Sequence, residues 1–104
     1  MVVRAVKGPI DQANKMLALL EEGEIEDAKD ELDFDCFGND GLDEFETFFT
    51  ENPVLSFDLT STSNTNGRGA ASGTVRLDDG FGSRPIAFDL TNDDGWKVCG
   101  INFP

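Results

Sequence analysis

The sequence predicts an α+β domain in which three N-terminal helices pack on one face of a curved, four-stranded antiparallel sheet, giving a cone-like shape. Three observations lead there. Apolar residues recur at helical spacing from Ile10 to Phe49 and switch to alternation after Pro53. Turn clusters, Asp78-Asp79-Gly80 and Asn92-Asp93-Asp94-Gly95, cut the second half into short runs joined by hairpin-sized connections. The chain has 104 residues, 38% of them hydrophobic and nine of them Phe, which is enough for one modest core.

Residues 1–8 read as an extension ahead of a single domain spanning 9–104, because Gly8-Pro9 interrupts the helical spacing. Pro9 suits a first helical turn, where its missing N–H costs nothing. The first helix is expected from Pro9 to about Glu22, burying Ile10, Ala13, Leu17 and Leu20 with Met16 at the edge, and Gly23 ends it as a left-handed cap. A second helix from Glu24 to Leu32 puts Ile25, Ala28 and Leu32 on one face, and its acidic first turn suits the helix dipole. Asp33 to Gly41 reads as an irregular acidic loop. Asp40 is then the cap of a third helix with the apolar face Leu42, Phe45, Phe48 and Phe49, stopped by Asn52-Pro53.

Beyond Pro53, Leu55, Phe57 and Leu59 alternate with polar residues as a half-buried strand. The polar tract from Ser61 to Gly69 reads as a hairpin connection outside the packed structure. A second strand, Ala70 to Leu77, buries Ala71, Gly73, Val75 and Leu77, and a third buries Ile86, Phe88 and Leu90. The closing strand holds the single Trp. Trp96 and Val98 have one parity and Cys99, Ile101 and Phe103 the other, so a bulge near Gly100 is expected to reconcile them. If Cys99 reaches Cys36, then Cys99, Ile101 and Phe103 face the helices, and Trp96 and Val98 are left to cover the other face of the sheet or a partner.

Charge is concentrated. Between Glu21 and Glu51 fourteen acids stand against Lys29 alone, so the whole formal charge of −13 falls in that stretch. This argues against nucleic acid and anionic membrane as partners of that face and leaves a solvated surface, a basic protein partner, a cation or mimicry of nucleic acid. No apolar run approaches the roughly 18 residues of a membrane span. The first residues are basic but lack the apolar stretch and small-residue cleavage site of a signal peptide. An extracellular or cell-envelope location therefore needs an export signal or anchor that these residues do not supply, and the alternative is the cytoplasm.

Cys36 and Cys99 are the only cysteines and the chain has no His, which makes a thiol-ligated metal site a poor reading. A structural disulfide leads, with two buried free thiols as the alternative. A bridge would imply an oxidising compartment.

The Leu19-Leu20-Glu21-Glu22-Gly23 end of the first helix, the Ile25-Glu26-Asp27-Ala28 start of the second and the final Gly95-Trp96-Lys97-Val98 together resemble the nuclear transport factor 2-like (cystatin-like) superfamily. Its small bacterial cell-envelope domains of unknown function are closest in style. The resemblance implies a curved sheet wrapped about a helical layer, with a pocket in the cone and pairing of copies through their sheets. It also implies a disulfide between the cysteine after the second helix, Cys36, and the one after the Trp-x-Val, Cys99.

The superfamily includes enzymes such as ketosteroid isomerases, whose chemistry needs a carboxylate base opposite a tyrosine or protonated acid. This chain has no Tyr, and no residue maps onto that pattern. Asp58, Arg76 and Asp89 share a parity on successive strands, as in the Asp-Arg-Asp of epoxide hydrolase relatives, but it is the parity facing away from the helices, which favours cross-strand ion pairs. Asp33, Asp35 and Glu44 overlay positions one, three and twelve of a calcium loop, although position five is Phe37. Leu17, Phe45, Phe48, Phe49, Phe57 and Phe88 are the candidates to line an apolar pocket between helices and sheet. The reading that follows is a non-catalytic exported domain that binds a protein or a small apolar ligand, stabilised by one disulfide and without a cofactor. The alternatives are a small isomerase-like enzyme acting on an apolar substrate, and an acidic protein that binds a basic partner through residues 21–51.

Overall fold

The computed structural model describes residues 8–92 and 95–104. The expected extension at 1–8 lies almost wholly outside the described residues. Three helices, α1 (Pro9–Glu21), α2 (Ile25–Lys29) and α3 (Phe34–Glu51), precede four strands, β1 (Val54–Thr65), β2 (Arg68–Leu77), β3 (Ser83–Asn92) and β4 (Trp96–Asn102). The strands form one antiparallel sheet in the order β1-β2-β3-β4. Each connection is thus a hairpin, as short turns between alternating runs require.

One face of the sheet packs on the helices. Ala13, Met16, Leu17 and Leu20 of α1 meet Val54, Ala71, Val75, Leu77, Ile86, Phe88 and Leu90 in one core, which Ala28, Leu32, Phe45, Phe49, Trp96 and Val98 complete. Gln12 is the buried polar residue among those described, and its amide donates to Glu31 Oε1. Burial therefore strands no polar group there.

Two segments differ from the sequence expectation. Asp33 to Gly41 is helical on both sides of a break: α3 begins at Phe34, capped by Asp33, whose Oδ1 accepts the Asp35 N–H at 2.9 Å, and this first turn is separated from the helix beyond by Gly38, which is non-helical (φ 66°, ψ −177°). Its positive φ is one that glycine adopts without strain, so the expected break is confined to a single residue between two helical segments. Asp40, expected as the cap, lies inside α3. Likewise the tract 61–69 is mostly strand. β1 and β2 stay paired out to Thr65 and Arg68, and only Asn66-Gly67, at φ 51° and 77°, makes the turn. Two consecutive positive φ values give the primed turn that matches strand twist. The side chains from Ser61 to Arg68 are all exposed, so their polarity describes their burial and not their backbone.

Bulges set the register. In β1, Leu55 and Thr60 are extra residues against β2. In β4, Asp89 pairs with Gly100 and Leu90 with Val98, so Cys99 is the unpaired residue. This bulge lets Val98 and Ile101 both face inward, opposite Leu90 and Phe88. It corrects the expected facing of the closing strand: Trp96 is 8% exposed and Val98 fully buried on the helix side.

Gly73 shows how tight the bulged pairing is. A Cβ there would overlap the Asp58 carbonyl oxygen and lie 2.6 Å from Leu59 Cα, so backbone would have to move. Gly73→Ala is expected to cost about 2 kcal/mol, as overpacking does. Urea unfolding checks it against Ser72→Ala on the adjacent residue, for which a shift below about 0.5 kcal/mol is expected.

Candidate apolar binding site

The second half of α3 carries Gly41, Glu44, Phe45, Phe48 and Phe49 at helical spacing, so these residues share one face. Together with Phe37 from the first turn they form one wall of a recess of about 290 Å³, and Ile101 and Phe103 form the other. The rings interlock: Phe45 and Phe49 centroids are 4.9 Å apart, Phe48 and Phe49 also 4.9 Å at nearly right angles, and Phe48 reaches Phe103 across the gap at 5.5 Å. Offset and edge-on arrangements of this kind favour the ring quadrupoles. At Gly41 a side chain would crowd Phe37, with Cβ atoms 3.0 Å apart, so glycine keeps that wall open.

Two devices hold the walls in place. The Cys36–Cys99 disulfide, with Cα atoms 5.2 Å apart, ties the turn that bears Phe37 to the β4 bulge. Beside it the chain runs parallel to β4, the Asp33 N–H donating to Val98 O at 2.7 Å and the Val98 N–H to Glu31 O at 2.9 Å. Asp33 Oδ2 also accepts from Thr91 Oγ1 at 2.7 Å.

Beyond Phe103 the apolar surface continues. The Arg84 guanidinium lies 5.7 Å from the ring centroids of both Phe103 and Phe81, and it is ion-paired to Asp79. Asp79 Oδ1 also accepts the Phe81 N–H at 3.0 Å. Phe81, 80% exposed, is therefore held out on a braced turn.

The α3 wall is acidic on its solvent side, with Asp40, Asp43 and Glu44 exposed. Lys29, the one base of residues 21–51, is taken by Glu46 at 2.6 Å and Glu26 at 3.3 Å. The Glu46 hydrogen bond holds the Lys29 pKa above its usual value, and Lys29 in turn lowers that of Glu46.

Of the residues expected to line a pocket, Phe45, Phe48 and Phe49 line this recess. Leu17 and Phe88 do not: at 0% and 1% exposure they are interior packing that fills the cone. Phe57 is partly buried against the core and is not in the lining. Sequence reasoning missed Phe37, Gly41, Ile101 and Phe103. Gly41 stands at helical spacing from Phe45 and Phe48, whereas Phe37 lies ahead of the break at Gly38; Ile101 and Phe103 are on the helix side, as their parity with Cys99 implies, but that parity alone does not give them a place in the lining. The calcium overlay fails because Phe34 to Phe37 are helical and Cys36 is bridged, and no group of three or more acidic or thiol side chains among the described residues is placed to hold a metal. Asp58, Arg76 and Asp89 do not converge either, since Ser56 stands opposite Arg76 and Ala70 opposite Asp89.

No protein-family profile matches the chain, and no curated protein matches it. Solved structures do. The solution structure of a SEC-C motif containing protein from Rhodopseudomonas palustris aligns with a TM-score of 0.79 at 14% identity, over 97% of this chain and 82% of that one. A designed protein of the NTF2-like kind aligns at 0.66 and 20% identity, over 90% and 97% of the two chains. A DUF4783 family protein from Bacteroides ovatus aligns at 0.65 and 13% identity, over 84% and 88%. At these identities the likeness concerns the fold, which is NTF2-like.

Proposed function

We propose that the chain is a non-catalytic binding domain of the nuclear transport factor 2-like superfamily, working in the cell envelope or outside the cell, that takes up an apolar group in the mouth between α3 and β4. The aromatic recess carries this reading, because it is apolar, open and braced on both sides. The disulfide supports an oxidising compartment. An isomerase-like site would instead need a carboxylate inside the cone, where Leu17 and Phe88 pack.

A neutral naphthylamine fluorophore tests the site without charge effects. It is expected to bind with increased emission, and Phe103→Ala, which strips one wall at a position 36% exposed, should weaken binding roughly tenfold while leaving the fold intact. Equal binding by the variant would mean that the dye sits elsewhere, and absence of binding would remove the apolar-ligand reading. For the compartment, a thiol titration of protein from its native source should find no free thiol before reduction.

A further inference from the structure

We infer that the occupant of this mouth is a basic peptide segment that inserts one bulky apolar side chain, with Asp40, Asp43 and Glu44 attracting the Lys or Arg residues beside it; the inference rests on the binding reading above. Size argues first. About 290 Å³ is at the lower edge of the roughly 300–1,000 Å³ of small-molecule sites and suits one or two side chains. The surface also extends beyond the mouth. Phe103, Arg84 and the exposed Phe81 form a continuous aromatic and guanidinium strip, which is the footprint of a segment lying across the site and not of a small molecule dropped into it.

Charge then selects the partner. The net −13 of the chain falls within residues 21–51, and α3, which supplies one wall, belongs to that stretch. Its single base is committed to Glu46 and Glu26, whereas none of the described ion pairs includes Asp40, Asp43 or Glu44. On the opposite side Arg84 is neutralised by Asp79. A cation beside the inserted side chain is therefore drawn in, while the carboxylate of a fatty acid is repelled. A second copy of the chain brings the same −13 and is repelled as well.

Three short capped peptides decide it by amide shift changes in the isotope-labelled protein. One places Trp-Leu between Lys pairs, one replaces the Lys by Glu, and one replaces Trp-Leu by Ser-Ser. The first is expected to shift amides of Phe37, Glu44 to Phe49 and Ile101 to Phe103, and to bind at least roughly tenfold more tightly than either control. Glu44→Lys, an exposed helix change that should leave the fold intact, and Phe103→Ala should each lower its affinity by about fivefold to tenfold. Comparable binding of the Ser-Ser peptide would reduce the interaction to charge on the acidic face and overturn the inference. Comparable binding of the Glu peptide would overturn the role of the acids. If no peptide shifts these amides while the neutral dye still binds, the peptide inference falls and the small-ligand reading stands; if the dye fails too, both fall.

Discussion

Replacing both Cys36 and Cys99 by Ala is expected to lower the unfolding free energy by about 4 kcal/mol. The cysteines are 63 residues apart in sequence, so the bridge closes a loop of more than half the chain and removes much of the freedom of the unfolded state. Against the roughly 5–15 kcal/mol that holds a domain together, such a loss is large. It should lower the melting temperature by roughly 15 °C or more. Cys36 is an exposed residue, and unfolding in the presence of a soluble reductant should reproduce the effect. The loss should also have a local component. With the bond gone, the turn from Phe34 to Phe37 keeps its Asp33 cap, and Glu31 and Asp33 ahead of it keep their hydrogen bonds to Val98, but the turn itself loses its covalent tie, with the non-helical Gly38 behind it. Amide exchange should therefore quicken first at Phe34 to Phe37, and dye binding at the Phe37 wall should weaken before the core opens. Urea curves that coincide for the wild type and the double variant would show that the bridge adds no stability.

The fold was legible because its two halves follow different periods. Ile10, Ala13, Leu17 and Leu20 mark a helix as clearly as Ile86, Phe88 and Leu90 mark a strand, and both sets are where the core formed. What the residues did not disclose was every place where backbone and side-chain preference part company. Gly38, Asp40 and Gly41 speak for a loop, yet only Gly38 leaves the helical conformation: the Asp33 cap starts a turn ahead of it, and helix resumes at Asn39. Ser61 to Thr65 speak for a connection, yet pairing with β2 needs no apolar side chain, only backbone and a turn at Asn66-Gly67. The candidate site was half legible for the same reason. Its α3 wall follows from Phe45, Phe48 and Phe49, but its β4 wall depends on the bulge at Cys99. A one-residue insertion exchanges the faces of everything beyond it; the parities of the strand do call for a bulge near Gly100, and it falls next door at Cys99, but turning Cys99 to the helices put Trp96 and Val98 on the wrong side.

The Phe residues offer the sharpest test of which apolar groups hold the fold and which remain available for binding. Phe88→Ala is expected to cost about 4 kcal/mol, within the usual range for emptying a buried aromatic site. Phe88 is 1% exposed on β3, with Ala71 opposite it on β2 and Ile101 on β4. Both neighbours are fixed in hydrogen-bonded strands, and Ala71 is too small to fill the space, so the cavity should persist instead of collapsing. Phe81→Ala removes an equal side chain that is 80% exposed and should change stability by less than about 0.5 kcal/mol. Phe103, partly covered by Phe48 and Arg84, should fall between them at about 1 kcal/mol. Urea unfolding with unchanged slope measures all three. If Phe81→Ala proved as costly as Phe88→Ala, the Phe81 turn would be part of the folded core, and the surface proposed for peptide binding would lose its outer half. If Phe88→Ala proved cheap, the cone would not be the filled interior that sets the binding site at its mouth.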